Sequence, residues 1–141
     1  MSIEFEGLEE VLERLEGIVD EKQLDQAMKT AVMLVERSAK MKAPKGTGEL
    51  SRSITSKVEL TEKGIVGIVF TPLEYAPYVE YGTGLFAEGG DGRKDVPWCY
   101  QDDKGEWHST SGQHPQPFMR PALNENREQI LRILSEGASD D

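Results

Sequence analysis

LDQAMKTAVMLVERSAKMKAP, residues Leu24 to Pro44, carries the strongest structural signal in the chain. Leu24, Ala27, Met28, Ala31, Val32, Val35 and Ala39 recur at three- and four-residue steps. That spacing lines side chains along one side of a helix. It predicts a long amphipathic helix running to about Lys42, with Asp20 as its N-cap. Pro44 ends the helix, because proline cannot continue the hydrogen-bond ladder and restricts the residue before it.

Downstream, Lys45 to Glu49 reads as a turn with two glycines. Ile54, Ser56, Val58 and Leu60 then alternate with Ser53, Thr55, Lys57 and Glu59, the pattern of a half-buried strand. Thr61-Glu62-Lys63-Gly64 is a turn, and Ile65 to Phe70 is an almost unbroken β-branched and aromatic run. The pair predicts a β-hairpin closed by Pro72. Glu74 to Glu80 predicts a short helix packing Tyr75, Tyr78 and Val79, followed by a sharp bend at Gly82.

Upstream, Ile3 and Phe5 alternate with Glu4 and Glu6, and Gly7 breaks this short strand. Leu8, Val11, Leu12, Leu15 and Ile18 predict a first amphipathic helix ending near Gly17. From Gly82 to Gln116 glycines cluster. A small hairpin is expected between Val96–Tyr100 and the region of Trp107, across Asp102-Asp103-Lys104-Gly105. The rest of 84–116 reads as a long loop, of the kind that carries function or stays disordered. Pro121 can open a helix, and Leu123, Arg127, Ile130, Leu131 and Leu134 continue it. The tail 137–141 is expected to fray. The sum is one α+β domain over residues 1–141. A long helix and a C-terminal helix pack on a small antiparallel sheet, and a long loop projects from it.

The chain has 141 residues and a formal charge of −10, from 16 basic and 26 acidic side chains. A chain so acidic does not hold nucleic acid by bulk electrostatics, which demands Lys and Arg to replace counter-ions. Nor is it drawn to an anionic membrane. The charge reads as solubility, or as an acidic wall past which DNA slides. Cys99 is the only cysteine, so no internal disulfide forms. The first residues lack the basic start and apolar run of a signal peptide. No stretch approaches the ~20 apolar residues of a membrane span. The chain therefore reads as folding in the cytoplasm.

Reactive groups are sparse. Cys99, His108 and His114 are the zinc-ligand candidates, at spacings that match no familiar zinc pattern. Cys99, His108 and Asp102 contain the parts of a nucleophile, base and orienting acid, with no motif that would assemble them. Glu74, Glu80 and Asp91 are candidate paired carboxylates. Glu80, between Tyr78 and Tyr81, reads either as a charge-assisted contact to a backbone or to a neighbouring subunit's arginine, or as an exposed helix-end acid. Neither Gly82-Thr83-Gly84 nor Gly89-Gly90-Asp91-Gly92 fits a phosphate loop. No catalytic, cofactor-binding or metal residue is assigned. Of the aromatic residues, Tyr75, Tyr78 and Phe118 are assigned to the core. Phe86, Trp98 and Trp107, with Glu80 and Arg120, are assigned to an interface.

Three words remain: Pro44-Lys45-Gly46-Thr47-Gly48-Glu49-Leu50, Tyr75-Ala76-Pro77-Tyr78-Val79-Glu80-Tyr81-Gly82-Thr83, and Pro117-Phe118-Met119-Arg120-Pro121-Ala122-Leu123. In this order, with Ser53-Ile54 opening the strand after the first, they resemble a family of minor structural proteins of tailed bacteriophages. That family sits at the neck, where head meets tail, and is also known as a tail component. The resemblance spans roughly residues 3 to 135, and 84–116 departs from it as a longer variable loop. It implies scaffold roles for Pro44, Thr47, Gly48, Leu50, Tyr75, Ala76, Tyr78, Gly82, Thr83, Pro117, Phe118 and Pro121.

The resemblance also implies a virion protein made and assembled in the host bacterial cytoplasm. It would form part of a ring of its own copies in the virion, while such proteins can be monomeric alone and assemble only on a template. That ring would join a DNA-filled head to a tail, touch neighbouring connector and tail proteins, and let DNA pass without specific binding. No enzyme activity, cofactor or membrane enters this reading. The alternative inside the same class is a tail-completion protein capping the tail tube. The alternatives outside it are a small hydrolase using Cys99, His108 or Glu80, and a module that binds a host protein.

Overall fold

A computed structural model describes residues 1–6, 21–61, 64–90, 92–102 and 104–137. The expected first helix, Asp20, Asp91, Asp103, the Glu62-Lys63 turn and residues 138–141 lie outside the described residues. In chain order the elements are β1 (Ser2–Glu6), α1 (Glu21–Lys42), α2 (Glu49–Ser53), β2 (Thr55–Thr61), β3 (Gly64–Phe70), α3 (Ala76–Tyr81), β4 (Trp98–Gln101), β5 (Trp107–Thr110), α4 (Met119–Asn124) and α5 (Arg127–Gly137). Backbone contacts divide the chain into two compact units, Met1–Pro72 with Phe118–Asp141, and Leu73–Pro117.

The first unit is an α+β layer structure. Its sheet has the order β1-β3-β2, with both outer strands antiparallel to β3. The hairpin register pairs Thr55 with Phe70 and Leu60 with Ile65, as the alternation predicts. β1 pairs along the opposite edge of β3, with Ile3 against Val69 and Phe5 against Gly67. Ile65 to Val69 are all buried, which is why the central strand reads as a continuous apolar run instead of an alternating one.

α1 lies against β2 and β3 and also meets α4 and α5. Leu24, Ala27, Met28, Ala31, Val32, Val35 and Ala39 are all buried, so the whole stripe is core. Each large member contributes roughly 1.5–3 kcal/mol of transfer free energy. Ile130 and Leu134 of α5 are buried one helical turn apart.

The end of α1 is well capped. The Lys40 carbonyl accepts hydrogen bonds from the Ser51 hydroxyl at 3.1 Å and from Lys45 Nζ at 2.7 Å. These bonds satisfy an acceptor that the terminated helix leaves open. Here the structure corrects the expectation of a turn leading straight into a strand. After Gly48 the chain forms α2, buries Leu50, and enters β2 only at Thr55. The Ser53 hydroxyl donates to the Leu50 carbonyl at 2.6 Å and lies 2.7 Å from Thr71 Oγ1. Local side-chain bonding of this kind competes with the strand ladder.

Two further corrections concern this unit. Leu60 is 81% exposed although its alternation placed it with Ile54 and Val58; it pairs with Ile65 beside the hairpin turn. The expected single last helix is two helices, and the first opens at Met119, two residues before Pro121. The break falls at Glu125-Asn126, where Asn126 Nδ2 donates to the Ala122 carbonyl at 2.7 Å. The Asn126 carbonyl then accepts the Ile130 N–H at 2.8 Å. Phe118 is fully buried, as expected.

Candidate functional site

The unit Leu73–Pro117 holds the second sequence word and most of the interface candidates. Tyr75 precedes α3, and Pro77 occupies its first turn, where a missing N–H costs nothing. Ala76 and Glu80, four residues apart, share one side of the helix and are fully buried. Tyr75, Tyr78 and Tyr81 recur three apart and are 41%, 60% and 41% exposed. The assignment of Tyr75 and Tyr78 to the core is therefore overturned. The helix turns its small and acidic positions inward and presents three phenol rings outward. The exposed helix-end reading of Glu80 falls with it, since an inward carboxylate must be compensated by polar partners.

After α3, Gly82 takes φ 83°, a conformation open to glycine, and the predicted bend is made there. The chain then runs beside residues 111–116. The Thr83 N–H donates to the Gln113 carbonyl at 2.9 Å, and the Gln113 N–H donates to Thr83 Oγ1 at 2.9 Å. Leu85 donates to Ser111 at 3.0 Å, and Gln116 donates to the Val79 carbonyl at 2.8 Å. Gly84 and Gly112 cross at this point. A Cβ on Gly84 would run into the Ser111 carbonyl, and one on Gly112 into that of Thr83. The segment expected to be mainly loop thus has a hydrogen-bonded frame, with 3₁₀ turns at Gly84–Phe86 and Glu88–Gly90. The expected hairpin is present as β4 and β5.

Beside that frame is an open cavity of about 620 Å³, whose lining includes Tyr78, Tyr81, Gly84, Arg93 and Trp98. The Arg93 guanidinium lies 4.9 Å from the Trp98 ring centre, a cation–π distance. Phe86 is partly exposed and its ring lies 3.9 Å from that of His114. Trp107 is 70% exposed on β5. Arg120 lies in the other unit, in α4.

The β4–β5 register separates the groups that a nucleophile would need. Cys99 pairs with Ser109, and Tyr100 with His108. Adjacent positions on a strand face opposite ways, so the thiol and the imidazole lie on opposite faces of the ribbon. His108 instead stacks on Tyr100 with ring centres 5.3 Å apart. It also meets Asp102, with Nε2 to Oδ2 at 2.7 Å. Asp102 Oδ1 accepts the Lys104 and Glu106 N–H groups, each at 2.9 Å. The bond to His108 holds the Asp102 carboxyl below its ordinary pKa, helped by the backbone bonds from Glu106 and Lys104.

Ligand atoms of Asp102, Glu106 and His108 lie within 4.8 Å of one another. This grouping is not the Cys99, His108 and His114 set suggested by composition. Both Asp102 oxygens already serve the turn, one on two backbone N–H groups and one on His108, so the arrangement acts as a clasp on the hairpin. Its signal was an Asx-type turn, in which an aspartate bonds backbone two residues on.

Among the described residues no helix is long and apolar enough to cross a membrane. No curated protein and no solved structure gives a significant match to the chain. A family model described as "Bacteriophage HK97-gp10, putative tail-component" matches residues 6–82, which takes in α1, the β2–β3 hairpin and α3, and stops before the third sequence word. Because that match covers more than half of the chain, the protein belongs to this family of bacteriophage tail-component proteins.

Proposed function

We propose that the chain is a structural subunit of the head–tail junction of a tailed phage. Copies close into a ring through heterologous contacts and bind the neighbouring connector and tail proteins. The observation that carries this reading is the placement of exposed apolar side chains. Among the described residues, seven of the ten large exposed ones, Tyr75, Tyr78, Tyr81, Leu85, Phe86, Tyr100 and Trp107, fall in the unit Leu73–Pro117. Aromatic residues concentrated in one small unit are the composition of an assembly surface. The charge of −10 supports a channel wall that DNA passes without sticking. The protein would assemble in the host cytoplasm and remain in the virion.

The test is electron microscopy of lysates from a phage lacking this gene. Separate DNA-filled heads and finished tails are expected. Normal joined virions would exclude a junction role. The family's tail-component description favours a second reading, a protein that caps the tail tube; overlong or frayed tails would select it.

A further inference from the structure

The unit Leu73–Pro117 carries a cavity and a protruding indole that one copy cannot bring together. The cavity has Trp98 in its lining and a volume of about 620 Å³, within the roughly 300–1,000 Å³ of sites that take up organic groups. The indole is Trp107, 70% exposed. Trp98 pairs with Thr110 and Trp107 with Gln101, at opposite ends of the ribbon. Three residues separate them along the strands, about 10 Å at ~3.4 Å per residue. They also face opposite ways: Trp98, Tyr100, His108 and Thr110 share one face, and Cys99, Gln101, Trp107 and Ser109 share the other.

We infer that Trp107 of one copy seats in the Tyr78–Tyr81–Trp98 cavity of the next copy, with the acidic hairpin tip against Arg93. This contact rests on the ring proposed above and supplies one of its joints. A knob and a socket at different places on one chain can repeat head to tail, the arrangement that gives a ring where the rotation closes.

Charge fits the same pairing. Asp102, Asp103 and Glu106 precede Trp107, with Lys104 as the one base among them. At the socket stands Arg93, followed in the chain by exposed Lys94. Arg93 meets Asp95 only at 4.0 Å, the outer limit of an ion pair, and Glu88 is the acid among the described residues of the cavity lining. Such charges set register and orientation while a buried tryptophan supplies most of the affinity.

The experiment replaces Trp107 with the photoreactive aromatic p-benzoylphenylalanine in phage particles, irradiates them, and maps the products by mass spectrometry. The expected product joins position 107 of one copy to residues 77–98 of another, seen as a dimer of this chain. Coupling to a different virion protein, to another part of this chain, or to nothing overturns the contact and leaves the ring standing. If the altered chain fails to enter particles, carbodiimide coupling of unaltered particles decides. A Glu106–Lys94 link between copies supports the contact, and its absence overturns it. Particles that lack the unaltered chain altogether overturn the ring and this joint together.

Discussion

Gly67 of β3 lies so close beneath Val32 of α1 that a Cβ at position 67 would stand 2.5 Å from Val32 Cγ1. The same atom would be 2.9 Å from Met28 Sδ and 3.0 Å from Phe5 Cζ. The missing side chain is what lets the long helix settle onto the middle of the sheet. Gly67→Ala is expected to destabilise the fold by about 1–3 kcal/mol, the usual cost of overpacking a core. Val32→Ala in the same chain should return part of that loss, because the two positions share one space. Urea unfolding of the two single variants and the double variant measures both effects. An unchanged midpoint for Gly67→Ala would mean the helix does not pack this closely.

The Ser53 hydroxyl joins α2 to the end of β3. It donates to the Leu50 carbonyl, so the Thr71 hydroxyl is the donor in the 2.7 Å contact between Ser53 and Thr71. Thr71 is 1% exposed. Ser53→Ala removes both hydrogen bonds and is expected to cost about 1–3 kcal/mol, at roughly 0.5–1.5 kcal/mol for each. Thermal unfolding would show it as a drop in Tm. A loss within experimental error would show that water replaces the hydroxyl.

Features written in short-range periodicity are legible in the sequence. The Leu24–Ala39 stripe, the β2–β3 hairpin and the α+β class follow from spacings of two, three and four residues. The α2 helix was hidden because five residues between a Gly-rich turn and a strand show no period. The face of α3 is not legible in the sequence, because Tyr75, Tyr78 and Tyr81 have the same spacing whether turned in or out. A tyrosine is apolar enough for a core and polar enough for a surface. Burial of Ala76 and Glu80 decided the face, and an inward glutamate is not an expectation that composition supports. The break before α5 did have a signal, the polar run Asn124-Glu125-Asn126. Crossing of Gly84 over Gly112 joins segments far apart in the chain, which no local pattern can report.

Asp102 and His108 make the β4–β5 hairpin sensitive to acid. The folded carboxyl titrates below its ordinary value, mainly through the bond to His108. A depressed carboxyl pKa contributes stability above the unfolded value, roughly 3.9, and loses it as pH falls through the folded value. The clasp is therefore expected to hold near neutrality and to loosen only below about pH 4. Amide exchange at Lys104 and Glu106, whose N–H groups bond to Asp102, reads this directly. After correction for intrinsic exchange rates, protection should fall with acid in the parent. It should be lower and flatter with pH in Asp102→Ala. Matching profiles for the two chains would show that the carboxylate does not hold the turn.

Residues on the two sides of α3 should behave in opposite ways. Tyr78 is 60% exposed and Ala76 is fully buried. Tyr78→Ala is expected to change stability by no more than about 0.5 kcal/mol, as an exposed substitution does. Ala76→Leu forces a large side chain into a filled space and is expected to cost about 1–3 kcal/mol. In phage particles the order reverses in meaning. A Tyr78→Ala chain that is folded yet poorly incorporated identifies the tyrosine side as a contact surface. Circular dichroism melts of the purified variants, set beside the amount of each chain in purified particles, separate folding from assembly. A Tyr78→Ala chain that melts far below the parent would return that tyrosine to the core and remove it from the assembly surface.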